Sequence, residues 1–482
     1  MSDTLRADYL GCYGNRDVHT PNIDAFARCS MRFTRAYPES LPTIPVRRAL
    51  HTGRRAYPFR NYRPVKWDMV YLPGWEPMDN VEDTLAENLV AAGYHTGFVT
   101  DTLPYFAPGL NFTRGFYQWE FIRGQQQDKW RSPFSVSDER LARYGDPAEL
   151  RKTPYSYAAM HLANTAHVRS EQDTSTARTF QWAMDVLEDN RVGPPFYLLV
   201  DCFDPHELWE APEKYYQMYG PAIYRGRRIL HCWYGSAEYA DYTSEEIEYV
   251  KAHYCGLVSL VDTWFGKLID KMDALGLSDH TMVIFTSDHG TNFCDNPHNV
   301  IGKPEYSMYP GLMHLPLLVR TPDETGAGQT CDELVYNLDV TATIYDLTGA
   351  KTDEGVDGHS LLPLVVGEGE WPARAYVTCR YGHSLCYIDD ATWVLTDIDG
   401  QPQDVFDLKT DPLCQEPLDV SSAQERFAAA WKRLLADAGG DFPDYRDHKQ
   451  TDALGREAGK RPAFAPLRDR ASLFQPKSNK QK

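Results

Sequence analysis

Over 482 residues the chain carries 49 basic and 68 acidic side chains, a formal charge of −19 that excludes a nucleic-acid partner and leaves any anionic ligand to a local cationic pocket. That length can bury a large core over about two to four domains, and 13% aromatic residues with 11 Trp exclude a disordered chain. The 10 Cys are scattered from Cys12 to Cys414 without a CxxC, nothing resembles a signal peptide, and no apolar run reaches the roughly 18–20 residues of a membrane span, so the reading is a cytoplasmic protein with free thiols and no membrane attachment.

In chain order, a candidate functional motif begins at Asp3, with almost no room for the strand that would normally lead into it. Residues 20–33 show a turn signal and then helical spacing. Residues 81–101 read as a helix stopped by Gly93 and followed by the strand HTGFVT. An amphipathic helix over 173–190 has Asp173 or Thr174 as its N-cap. PFYLLVDCFDPH (195–206) is a continuous apolar strand, 244–276 a long helix, TMVIFTSDHG (281–290) and HLPLLVR (314–320) strands, and 336–349 a helix. This alternation predicts an α/β fold with a large, mostly parallel sheet sandwiched by helices. After residue 365 the pattern changes to RAYVTCR, SLCYIDD, TWVLTDI and DVFDL, short strands of a small antiparallel sheet, and then a helix over 422–439. The expected divisions are therefore a catalytic domain over 1–365, a C-terminal α+β subdomain over 366–440 and, over 441–482, an irregular tail or the arm of a homo-oligomer.

Chemistry-bearing residues recur at strand ends, where open α/β sheets build their sites. Asp3, then Asp204 and His206, and then Asp288 and His289 follow or open apolar segments, and Lys303 lies in NVIGKPEY. Thr43 heads TIPVRRALHTGR, a Pro-containing helix start loaded with Arg. Each is weak alone, but the set points to a cation-binding, anion-handling centre.

These segments make the chain similar to the sulfatase family of the alkaline-phosphatase superfamily. Residues 43–54 fit C/S-x-P-x-R-x-x-L-x-T-G-R at every fixed position except the first. DTLRADYLGCYGNRDVHTPNIDAFA, DPHELW, TSDHG with GKPEYSMYP, VDGHSLLPLV and DVFDLKTDP resemble the family's other landmarks in their order, over about residues 3–415. The resemblance implies a metal-dependent ester hydrolase acting on a small anionic substrate. Asp3, Asp288, His289 and the Thr43 hydroxyl would hold one divalent ion, Ca²⁺ or Mn²⁺ first and Zn²⁺ next. A two-metal centre would need further ligands such as His206 or His314. Arg47 would orient the nucleophile, Arg54 would support the loop or the anion, Lys303 would bind ester oxygens, and His206 would protonate or stabilise the leaving group.

Two departures bear on the substrate. The family's opening has two consecutive acids, but Thr4 occupies the second place. Sulfate-cleaving members convert the key Cys or Ser to formylglycine. Oxidation of threonine at its secondary carbon would give a ketone, so no formylglycine is expected at Thr43. A covalent intermediate on Thr43 suits a phosphate or phosphonate ester, whereas the family as a whole favours sulfate esters, and both remain open here. The alternative is a catalytically weak or inactive protein that binds anions. The loops over 103–130 and 215–235, rich in Tyr, Trp and Arg, are expected to meet the rest of the substrate.

Thr43→Cys completes Cys-x-Pro-x-Arg. Co-expressed with a formylglycine-generating enzyme, the variant should carry the aldehyde by mass spectrometry and gain sulfatase activity over wild type. Confirmed aldehyde without that gain would mean that the surrounding pocket, not the nucleophile, sets substrate choice.

Overall fold

The computed structural model describes residues 1–63, 72–106, 109–126, 128–152 and 157–446. Its main sheet is assembled around the first residues of the chain. Ser2 forms parallel bridges to Cys202 and to Ser287. Asp3 N donates to Cys202 O at 2.8 Å, and Ser2 N to Thr286 O at 3.0 Å. On one side lie the parallel strands Phe196–Asp201, His95–Thr100 and Gln118–Phe121. On the other lie Val283–Thr286, Leu315–Arg320 and Met31–Tyr37, with Thr330–Cys331 and Val335–Tyr336 pairing on the far edge of Met31–Tyr37. Leu315–Arg320 runs antiparallel to both neighbours, so the sheet joins a parallel half to a mixed half.

Consecutive side chains of a strand point to opposite faces, which fixes where the helices lie. Val99 packs with Phe26, Phe180, Val258 and Phe265, the core beneath the helices Pro21–Arg28, Ser175–Asp189 and Ser244–Ala274. Its neighbour Phe98 packs with Ile44, Ala86 and Tyr105 on the other face, under the helices Thr43–Thr52 and Leu85–Ala91. The helix Asp339–Thr348 joins that second layer. Helix starts follow their sequence signals: Thr174 is the cap of Ser175–Asp189, and Thr243 with Glu246 forms a capping box before Ser244–Ala274. The segment 20–33 divides into the helix Pro21–Arg28 and the start of the strand Met31–Tyr37, where Met31 and Phe33 alternate into the core.

The small sheet is an antiparallel meander of Val377–Tyr381, Ser384–Ile388, Thr392–Asp397 and Pro402–Asp407. The helix Val420–Asp437, capped by Asp419, packs against it. Its fifth strand is Ser40–Leu41, parallel to Val377–Tyr381 and just ahead of Thr43. From residue 447 the tail lies outside the described residues. The ten cysteines are free, and among the described residues no helix is long and apolar enough to cross a membrane.

Tyr254 ties the long helix to the segment carrying Asp3. Its buried phenol donates to Thr4 O at 2.7 Å and accepts from Arg6 N at 3.0 Å. Tyr254→Phe leaves both backbone groups buried without that partner and should cost about 1–3 kcal/mol in urea unfolding. A loss below about 0.5 kcal/mol would show that this tie is dispensable.

Candidate metal centre and anion site

Thr43 opens a helix whose N-cap, Pro42, offers no side-chain hydrogen bond, so the first-turn N–H groups are not met by a capping side chain. Pro45 suits that first turn because its missing N–H costs nothing there. The helix ends at Gly53, with φ of 72° in the left-handed region and Val356 packed so close that a Cβ would meet its Cγ1 at 2.7 Å. Thr43 is only 4% exposed, and its Oγ1 lies 3.4 Å from His289 Nε2.

One turn later, Arg47 is fully buried and gathers three acids. Its Nε and Nη2 donate to the two oxygens of Asp201 at 2.8 and 2.9 Å. Nη1 donates to Asp288 Oδ2 at 2.5 Å and to Thr43 O at 3.2 Å. Nη2 also lies 2.9 Å from Asp3 Oδ2. Tyr105 OH, from the 103–130 loop, donates to Asp201 Oδ2 at 2.5 Å.

Asp3, Asp288 and His289 are buried, and their candidate ligand atoms all lie within 4.8 Å of one another. Asp288 Oδ1 accepts the backbone N–H groups of Thr4 and His289 at 2.9 and 2.8 Å. His289 Nδ1 donates to Gly290 O at 2.9 Å, which leaves the Nε2 lone pair toward Thr43 and Asp288. Asp3 Oδ1 accepts from Thr4 Oγ1 at 2.7 Å, whereas Oδ2 has no aligned hydrogen bond despite its nearness to Arg47. Burial, and then the charge of Asp288, push the Asp3 carboxyl well above its usual range. Burial raises Asp288 too, but His289, Arg47 and its backbone donors outweigh it and hold the group low. Burial lowers His289 to about 4, which keeps it neutral as a ligand must be.

Asp3, Asp201, Asp288 and Glu207 are four fully buried carboxylates, and Arg47 and Lys303 are the two buried cations hydrogen-bonded or ion-paired among them. The acids outnumber these cations by two, and with the orphaned Asp3 Oδ2 and the Nε2 that faces Thr43 they fit one divalent cation in a mixed O/N shell, acceptable to Mn²⁺ or Zn²⁺, and to Ca²⁺ if water completes it. Among the described residues this is the one cluster with metal-ligand geometry. His314 sits elsewhere, with its ring 5.9 and 6.0 Å from those of Tyr13 and Tyr37.

Lys303 Nζ donates to Glu207 Oε2 at 2.6 Å and to Thr4 Oγ1 at 3.1 Å. His206 stacks on Phe203 with centroids 4.2 Å apart. Burial and then Lys303 lower its pKa against the opposing pull of Glu207. Arg54 pairs with Glu82 and Glu354 at 3.2 and 2.8 Å, beyond the far end of the helix from Thr43, which is compatible with support of the loop and places it away from the anion. Asp204 is held by Gln125 and Thr176, a structural set of partners. Asp201 and Glu207 were not singled out from the sequence. Asp201 carried a signal, as an acid closing the strand FYLLVD, but an acid beside His206 in a loop carried none.

A mixed sheet between two helical layers, with two carboxylates and an imidazole converging at its strand ends, is the architecture of the alkaline-phosphatase and sulfatase type. Residues 1–350 match the family described as Sulfatase, and the chain belongs to that family. Residues 305–426 match the C-terminal region described for N-sulphoglucosamine sulphohydrolase. The chain is 26% identical to the multifunctional alkaline phosphatase superfamily protein PehA of Trinickia caryophylli, over 93% of its own length and 96% of that protein. It is 24% identical to choline-sulfatase of Rhizobium meliloti, over 80% and 72%. The phosphonate monoester hydrolase of Agrobacterium radiobacter shares the fold, with a TM-score of 0.69 at 22% identity over 96% of this chain and 98% of that one. Membership marks this chain as an ester hydrolase of the superfamily.

Elemental analysis should find about one divalent ion per chain. Asp288→Asn and His289→Ala should lose most of it, because each removes a donor without a substitute. Metal-free protein that keeps full activity after chelation would overturn this centre.

Proposed function

We propose that the protein hydrolyses a phosphate or phosphonate ester through a covalent intermediate on Thr43. The observation that carries this is the Thr43 hydroxyl itself, 3.4 Å from His289 Nε2 at the start of a helix whose Arg47 is bound to Asp288 and Asp201. The near end-to-end match to PehA supports a common architecture.

Asp3, Asp288 and His289 would hold the divalent cation, whose positive charge would favour the ionised form of a nearby hydroxyl, the proton passing to solvent. Thr43 then attacks phosphorus in line, and the bond from phosphorus to the leaving oxygen breaks. Arg47 holds Thr43 in place through its carbonyl, and the helix N-terminus favours the anion. Lys303 binds the ester oxygens. An anion beside His206 raises the share of its protonated form, so the imidazolium gives its proton to the departing oxygen. Left neutral, His206 takes a proton from the water that attacks phospho-Thr43. The second step restores Thr43 and releases phosphate or phosphonate. A sulfated threonine would lack the aldehyde exit available to formylglycine, and this sets the preference for phosphorus.

Thr43→Ala should lose at least about 10³-fold in kcat/KM while keeping its circular dichroism, because the substitution removes the nucleophile and leaves Asp3, Asp288 and His289 to hold the metal. Wild-type protein assayed against matched aryl sulfate, phosphate monoester, phosphodiester and phosphonate esters should prefer phosphorus esters. Acid quenching during turnover should trap a phosphorylated Thr43 peptide. Wild-type rates in Thr43→Ala would overturn the mechanism, and a preference for sulfate would overturn the substrate assignment.

A further inference from the structure

Glu207 is fully buried and joins Lys303 and His206, the two groups that the proposed reaction uses on its leaving-group side. Its Oε2 accepts from Lys303 Nζ at 2.6 Å and lies 3.0 Å from His206 Nδ1. Its Oε1 accepts from Tyr234 OH at 2.8 Å, and its backbone carbonyl is 2.6 Å from the same His206 Nδ1. Tyr381 OH fixes Lys303 from the other side, donating to its carbonyl at 2.9 Å. With both acceptors on Nδ1, that nitrogen carries the proton and Nε2 is the one free to exchange it.

Resting on the reading of His206 and Lys303 given above, we propose that Glu207 is a positioning residue that trades anion affinity for leaving-group protonation. A carboxylate beside Nδ1–H orients the imidazole and stabilises the imidazolium that must form before the proton is passed on. The same carboxylate neutralises Lys303, so the bound ester meets a weaker positive field than the lysine alone would give. A residue acting only as a structural support would, when changed, weaken binding and turnover together. Loss of the Glu207 charge should move them in opposite directions.

The binding half is measured without turnover. In the metal-loaded Thr43→Ala protein, inorganic phosphate should bind about tenfold tighter by calorimetry once Glu207→Gln is added, since removing one adjacent negative charge favours the anion. In the enzyme with Thr43 intact, Glu207→Gln should lower kcat at least about 30-fold for an ester of a poorly leaving alkyl alcohol. For a matched nitrophenyl ester, which needs little protonation to leave, the loss should stay under about fivefold. If Glu207→Gln fails to fold, Glu207→Asp, with the charge drawn back by one methylene, should show the same split at smaller amplitude. Weaker or unchanged phosphate binding, or equal losses for both esters, would overturn the role of Glu207. A fully active Thr43→Ala protein would overturn the nucleophile instead, while the phosphate measurement would still decide the charge effect.

Discussion

The centre depends on one guanidinium. Arg47 lies in the interior with no exposed surface and meets Asp201, Asp288 and Asp3, which come from three different parts of the sheet. Burying a single arginine is costly, and the cost is offset only where its donors are matched and the partner charges close. Here the fork meets Asp201 bidentately and its remaining nitrogen meets Asp288. Removing Arg47 would strand the acids as buried charges without their cation, a loss of about 3–5 kcal/mol in comparable pairs. The network therefore binds the helix Thr43–Thr52 to the strand ends. Thr43, one turn from Arg47, inherits its position from that bond.

Charge balance explains the second feature of the site. Where sulfatases open with two acids, this chain has Asp3 and Thr4. Thr4 is not an empty substitution. Its hydroxyl donates to Asp3 and accepts from Lys303, so it links the cation centre to the anion site without adding charge. The carboxylate that Lys303 meets comes from Glu207 instead, on a loop after the strand Phe196–Asp201. One negative charge is thus held away from the cluster around Asp3, toward the side where an ester's alcohol would leave.

How much of this the sequence revealed follows from which residues carry local signals. The α/β layering was legible because apolar runs such as PFYLLVD and the 3.6-residue spacing of 244–276 report burial directly. Asp3, Asp288, His289, Lys303 and Thr43 were legible as motif residues at strand ends, and the fold brings them together. Residues 31–33, the start of the strand Met31–Tyr37, share the helical spacing of the segment before them, since the strand begins only two residues after that helix stops. Arg54 sat inside the motif yet pairs with Glu82 and Glu354, because a turn C-terminal to the helix points it away from the N-terminal end. Asp201 and Glu207 acquire meaning only from long-range partners, Arg47 at 154 residues' separation and Lys303 at 96, which no local pattern encodes.

The two aromatic loops show how tertiary context changes the meaning of composition. Their Tyr and Trp content suggests a platform for a ring or sugar, but Tyr105 and Tyr234 turn inward and hydrogen-bond the buried acids Asp201 and Glu207. A phenol suits that duty: its ring joins the apolar packing while its hydroxyl satisfies a carboxylate oxygen that burial would otherwise leave unmatched. The small C-terminal sheet acts in the same direction. By taking Ser40–Leu41 as its edge strand, it anchors the chain two residues before Thr43, while Arg47 anchors it four residues after. Thr43 is thus clamped from both sides along the chain, by main-chain pairing to one sheet and by an ion network at the ends of the other. A side chain held at two points so close in sequence has little freedom to leave the position from which it would attack.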